Sequence, residues 1–167
     1  MTIERKMFKR AVAGAVLVLC LAGCSTTKST RHIEAVKAQD QHWKQMRSAS
    51  ILQSAEGYFI HGDLDNAELT LLEAISVDPE NPQLHILAGR VALERGQLER
   101  AFGRFETAIK RNDKISEAHY YQGIVLERWQ RHEVALKRYR EAYDLQRDNI
   151  SYLLAVSEML VASDQVD

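Results

Sequence analysis

The sequence predicts an all-α fold made of helix pairs that repeat along the chain. Three observations carry that prediction. The 167 residues are 46% apolar and 27% charged, with only two Pro and eight Gly among many good helix formers. Apolar residues recur three and four apart, as in Leu84, Leu87, Ala88, Val91 and Ala92, the spacing of one helix face. Slid against itself by 34 residues, the chain aligns small residues with small and bulky with bulky from residue 48 onward, the mark of stacked supersecondary units. The composition excludes collagen, low-complexity disorder and a polytopic membrane protein. A net charge of -1 gives no nucleic-acid signature.

The chain opens with an export signal at residues 1–23. Arg5, Lys6, Lys9 and Arg10 precede an apolar run from Ala11 to Leu21. Such a run rises roughly 16 Å as a helix, short of the roughly 30 Å of a bilayer core. A basic start, a short apolar stretch and a small-residue exit define a signal peptide. The exit, Leu21-Ala22-Gly23-Cys24, resembles the lipobox of bacterial lipoproteins. That resemblance implies diacylglycerol on the Cys24 thiol, cleavage before Cys24 and acylation of the new amino terminus. Cys20 suits the role poorly, because bulky Leu19 precedes it. An ordinary signal peptide or an uncleaved anchor is the alternative reading. Acyl chains contribute about 0.8 kcal/mol per buried CH₂, so two or three hold a protein stably on a membrane. Ser25, where an Asp would favour inner-membrane retention in the Gram-negative family, implies the outer membrane, facing the periplasm. With Cys20 removed and Cys24 acylated, neither a disulfide nor thiol catalysis is available.

Residues 24–30 then form the lipidated Cys and a flexible tether, since Ser25 to Thr30 is polar and aperiodic. Residues 31–47 form an N-terminal helix with Ile33, Val36, Trp43 and Met46 near one face. Trp43 and Met46 are expected to cap the first repeat.

The repeats occupy 48–81, 82–115 and 116–149, with a single capping helix at 150–163 and a tail at 164–167. In register stand Ala55, Gly89, Gly123 and Ser157 at the eighth position, Ala67, Ala101 and Ala135 at the twentieth, and Ala74, Ala108 and Ala142 at the twenty-seventh. Leu71, Phe105 and Tyr139 share the twenty-fourth. Small residues let two antiparallel helices approach, and the bulky group is expected to fill the gap toward the next repeat. Gly62 and Gly96 stand at helix ends where positive φ is wanted. Asn81-Pro82 places an N-cap before a Pro at the first helical position. This pattern resembles the tetratricopeptide repeat (TPR) family over residues 48–163. The resemblance implies a helix-turn-helix solenoid whose first helices line a concave groove. Departures are His85 and His119 where the family often has Trp, and Gln130 at the turn Gly, which predicts a less sharp turn in repeat three. Asp113 and Arg147 also replace the loop Pro that repeat one keeps as Pro79. Leu153, Leu154, Val156, Leu160 and Val161 belong to the capping helix; a truncated fourth repeat is the alternative.

In the family, ligand contacts come from first-helix positions two, five, six, nine, twelve and thirteen. Carried onto this chain, the partner groove is Gln53, Glu56, Phe59, Gln83, Arg90, Leu93, Glu117, Tyr120, Tyr121, Glu127 and Arg128. Phe59, Tyr120 and Tyr121 are the expected anchors, because aromatics and Arg dominate interfaces. Burial is the expected fate of Ile86 and Ile124. The subset that clamps C-terminal carboxylates uses a Lys and an Asn where this chain has Leu52 and Glu56, so that clamp is not expected. Charge is segregated: no Lys or Arg stands between Arg47 and Arg90, residues 89–147 are net basic, and residues 148–167 carry only acids.

No Gly-rich phosphate loop, His-Glu-x-x-His or Gly-x-Ser-x-Gly occurs. The His residues are scattered, and His85 and His119 recur at 34 because both fill repeat position four. No catalytic residue, metal site or cofactor is expected. The two resemblances together imply an adaptor that holds an envelope protein or peptide segment, with the membrane engaged through the N-terminal lipid and nucleic acid not involved. Lipoproteins of this architecture include pilotins of type IV pilus and secretion systems, and others that dock peptidoglycan enzymes. A self-associating envelope scaffold is the structural alternative.

Overall fold

The computed structural model describes the backbone of residues 4–164 and the side chains of residues 30–162. Seven helices follow in order: α1 (Glu4–Ile60), α2 (Leu64–Val77), α3 (Pro82–Glu94), α4 (Leu98–Arg111), α5 (Ser116–Arg128), α6 (His132–Leu145) and α7 (Ile150–Asp164). No strand occurs among the described residues. The fold is thus an all-helical row of hairpins, as the period predicts. Residues 1–3 of the expected signal and 165–167 of the expected tail lie outside the described residues, as does the side chain of Cys24.

The chain divides into two units, residues 1–43 and 44–167. The described backbone of the first is α1 alone. It runs through residues 24–30, where a flexible tether is expected, and no break falls at 47/48. Neither Gly nor Pro stands between Gly23 and Gly57, so nothing in this polar stretch stops a helix already begun. Ile33, Val36 and Trp43 are exposed, and so is Met46 at 63%. Within the second unit, Ser48 ties the end of α1 to α2. Fully buried, its Oγ lies 3.1 Å from the Gln45 carbonyl and 3.2 Å from Asp78 Oδ2, at the end of α2.

The second unit is a stack of hairpins. Ala67, Ala101 and Ala135 are completely buried, as are Ala74, Ala108 and Ala142. The bulky residue at position twenty-four packs toward the next repeat, as expected: Leu71 with Leu84 and Leu87, Phe105 with Val125, Tyr139 with Ala155 and Met159. It also fills the space over position eight of its own repeat. A Cβ placed on Gly123 would lie 2.5 Å from Tyr139 Cε1, and one on Gly89 would collide with the ring of Phe105. In repeat one the pair is Ala55 with Leu71, both buried in one cluster. A smaller partner for the ring side thus accompanies a larger seat.

All three tight turns are built alike. Gly62 and Gly96 adopt φ of 76° and 72°, and Gln130 adopts 59°. In each, the N–H after the left-handed residue bonds the carbonyl five residues back: Asp63 to Tyr58, Gln97 to Ala92, Arg131 to Leu126. That is a Schellman motif. Repeat three is therefore as sharp as the others, contrary to the expectation from Gln130. The six-to-one bonding holds a non-glycine residue in the left-handed region, at a cost of about 1–2 kcal/mol. Asn81 accepts from the Gln83 N–H ahead of Pro82, and Asn149 accepts from Ser151 in the same way at the head of α7.

The Gly–ring seat yields a direct test. Gly89→Ala should destabilise the chain by about 1–3 kcal/mol through overpacking. Adding Phe105→Leu, which recreates the Ala55/Leu71 pairing, should recover part of that loss. Urea denaturation of both single variants and the double should give a favourable coupling of about 1 kcal/mol or more.

Candidate functional site

First helices α3 and α5 touch each other as well as their own second helices, so their outer residues share one face with the end of α1. Arg90 stands at its centre. Its guanidinium carbon lies 4.7 Å from the centroid of the Phe59 ring and 5.3 Å from that of Tyr121. Its Nη1 lies 3.6 Å from Glu117 Oε1. Phe105 stacks behind Tyr121 at 5.5 Å between centroids. One line thus runs Phe59, Arg90, Tyr121, Phe105, crossing all three repeats. Cation–π contacts of this kind contribute about 0.5–2 kcal/mol each, and they fix a side chain that is otherwise long and mobile.

Tyr120 anchors a second cluster. Its ring meets Tyr121 at 5.5 Å, Tyr139 at 5.6 Å and Tyr152 at 4.9 Å. These rings meet at tilted or edge-on angles. Beside them opens a cleft of about 490 Å³ lined by Gln83, Lys114, Ile115, Ser116, Glu117, Tyr120, Tyr121, Gln146, Asn149, Ser151 and Tyr152. Ser116 Oγ donates to Gln146 Oε1 at 3.1 Å and lies 3.5 Å from the Tyr152 hydroxyl.

Burial raises the Glu117 carboxyl above its ordinary range; Arg90 opposes this and Glu56 adds to it. Burial also raises Tyr120, with Tyr152, Glu127 and Glu158 pushing the same way. Tyr121 is raised by burial foremost, with Arg90 opposing. Tyr139 is pushed far up by burial and by its bond to Glu127. All three tyrosines are neutral hydrogen-bonding groups at physiological pH.

The sequence-expected groove residues fall into three sets. Gln53, Glu56 and Gln83 are exposed. Phe59, Arg90, Glu117, Tyr120 and Tyr121 are half-buried and form the lines described above. The remaining three serve the fold. Leu93 is buried at 4% exposure in the core with Phe105 and Val125. Glu127 accepts a 2.6 Å hydrogen bond from the Tyr139 hydroxyl. Arg128 donates to the Leu93 carbonyl at 3.3 Å and ties repeat three to repeat two. Ile86 is buried and Ile124 half-buried. Sequence reasoning missed Tyr152, Ser116, Gln146 and Asn149. Tyr152 sits in register with Leu84 and Ala118, both core-facing, so its position signalled packing. Gln146 and Asn149 belong to an inter-repeat loop, and Ser116 is the first residue of α5, all three outside the groove positions.

His85 and His119 have matching roles. His85 Nε2 donates to the Pro79 carbonyl at 2.9 Å, and His119 Nε2 to the Asp113 carbonyl at 3.0 Å. Each imidazole pins the loop entering its own first helix. His119 Nδ1 also lies 3.2 Å from Glu141 Oε2. Among the described residues, no group of three His, Cys, Asp or Glu could hold a metal ion, and no helix is long and apolar enough to cross a membrane. The arrangement offers aromatic edges, hydroxyls, amides and one fixed guanidinium, a set suited to reversible contact.

These features define a helical-hairpin repeat protein with a grooved first-helix face. The Tetratricopeptide repeat family profile matches residues 52–104 and 87–150, more than half of the chain, and the protein belongs to that family. No curated protein matches it in sequence. Among solved structures, it resembles the first TPR of Spaghetti (RPAP3) bound to an HSP90 peptide at 20% identity and a TM-score of 0.67, covering 70% of this chain and 93% of that one. The Sgt2 TPR domain from Aspergillus fumigatus aligns at 16% identity and a TM-score of 0.68, covering 72% and 81%. MamA aligns at 16% identity and 0.65, covering 70% and 68%. At these identities the likeness concerns the fold.

The buried His85 makes a pH prediction. Burial foremost lowers its pKa from the ordinary 6.5, Arg104 and Arg111 add to this, and the Pro79 bond and Glu80 oppose it. The unfolded chain therefore binds a proton that the folded chain resists. The corresponding stability is present above about pH 6.5 and is lost as pH falls through and below it. The urea midpoint should drop between pH 7.5 and pH 5.5. His85→Gln, which keeps a nitrogen donor and does not titrate, should shrink that drop.

Proposed function

We propose that this chain is a lipid-anchored adaptor of the bacterial envelope. Acyl chains on Cys24 hold it at the periplasmic face of the outer membrane, and the first-helix groove grips a segment of an envelope protein. The work is binding, with no bond made or broken. The observation that carries this reading is the Tyr120–Tyr121–Tyr152 cleft beside the fixed Arg90, where hydroxyls and amides converge on open space. Two proteins of the same fold support it: the first TPR of Spaghetti (RPAP3) is bound to an HSP90 peptide, and the second TPR domain of human RPAP3 is in complex with an HSP70 peptide. The envelope setting rests on Leu21-Ala22-Gly23-Cys24 and the basic and apolar segments before it. Within that setting the role is assembly of a type IV pilus or secretion machine, as in lipoproteins of this architecture.

Two measurements test the proposal. A photocrosslinking residue in place of Tyr121, used in cells, should capture one envelope protein, and Arg90→Ala should reduce capture at least about fivefold by removing a central anchor. Capture of only a second copy of the chain would favour the self-associating scaffold and overturn the adaptor. Separately, Cys24→Ser should abolish fatty-acid labelling and move the chain from the membrane fraction to the aqueous one. Retention on the membrane without label would overturn the lipid anchor.

A further inference from the structure

Five carboxylates stand at groove positions of the first helices, Glu94 on α3 among them, and of the five Glu117 lines the cleft. Glu56 and Glu158 occupy the ninth position at the two ends, and Glu117 and Glu127 lie on α5 between them. Two bases, Arg90 and Arg128, share this face, and only Arg90 is paired with a carboxylate. Arg90 is held between two rings and against Glu117. Arg128 is bonded to the Leu93 carbonyl. Lys114 stands apart, in the loop at the cleft rim. Glu56 and Glu158 are exposed and make no hydrogen bond or ion pair among the described residues. Burial is the main cause that raises Glu117, Tyr120 and Tyr139; Glu56 adds a lesser push on the first and Glu158 on the other two, which places each carboxylate near the cleft.

Most of the polar lining is neutral, with Glu117 and Lys114 as its two charged members. Hydroxyls of Tyr120, Tyr121 and Tyr152 and amides of Gln83, Gln146 and Asn149 border the cleft. They can both donate to and accept from a main chain, and they carry no charge that would repel either sign. An occupant is thus sorted by the carboxylates at the two ends of the face.

We infer that the groove selects an extended peptide segment bearing Lys or Arg side chains, its main chain on the tyrosine hydroxyls and amides and its cations on Glu56 and Glu158. This rests on the reading of the first-helix face as the partner site. It sets the chain apart from the Spaghetti (RPAP3) domain, whose bound peptide SRMEEVD carries three acidic side chains. Charge complementarity of this kind governs partner choice and association rate more than raw affinity.

The experiment uses the full-length chain as a labelled probe on an array of peptides about ten residues long. Half carry three Lys and half three Glu, with the other positions randomised among Ala, Ser, Leu and Tyr. Lys peptides should bind about tenfold more strongly than Glu peptides at low salt. The preference should fall at about 0.5 M salt, where the Debye length shrinks to a few Å. Glu56→Gln with Glu158→Gln should remove it; both sites are exposed, and an unchanged melting curve verifies the fold. A preference for Glu peptides, no preference by charge, or a Lys preference that survives both substitutions would overturn the inference while leaving the groove reading intact, provided Tyr121→Ala abolishes binding. Absence of peptide binding, or binding indifferent to Tyr121→Ala, would overturn the groove reading and this inference with it.

Discussion

The hairpins of this protein close because a residue without a side chain faces a ring. Gly89 under Phe105 and Gly123 under Tyr139 let the two helices of a repeat come within the thickness of one aromatic group. Repeat one reaches the same end with Ala55 and Leu71, moving volume from one helix to the other. Interiors are packed as densely as organic crystals, so the sum of the two volumes matters more than either identity. From this seat follow the burial of the alanines beside it and the path of the first helices, and hence the face those helices present.

That face is tied to the core by its own polar groups. Tyr139 rests its ring on Gly123 and extends its hydroxyl to Glu127, at the edge of the groove. Arg128 reaches from repeat three to the end of α3. Phe59, Arg90, Tyr121 and Phe105 form one stack through three repeats. The groove is thereby made rigid by the contacts that hold repeats in register, and a rigid groove loses less entropy on binding.

Much of this was legible in the sequence because repetition makes each position visible several times over. Ala67, Ala101 and Ala135 reveal a buried site that one alanine could not, and Gly62 and Gly96 mark the turns. What the period conceals is the individual use of a position. Gln130 adopts the same turn as glycine because the Schellman bonds impose it. Leu93, Glu127 and Arg128 occupy groove positions by register, yet packing and hydrogen bonds claim them for the fold. Tyr152 occupies a core register yet lends its hydroxyl to the cleft. The exposed Trp43 and Met46 show the limit of a thin apolar stripe, which marks a helix face without saying what it meets. The loop residues Gln146 and Asn149 lie outside the helical period, so no spacing argument reaches them.

The hydrogen bond network is short-ranged along the chain. Ser116 and Tyr152, 36 residues apart, are the most distant pair described above. Chains whose contacts are this local fold fast. Emerging from a ribosome or threading a narrow pore, such a polypeptide needs only about the next forty residues in view to close the unit behind it. Its assembly is in effect a zipper that can start before the last helix has been delivered.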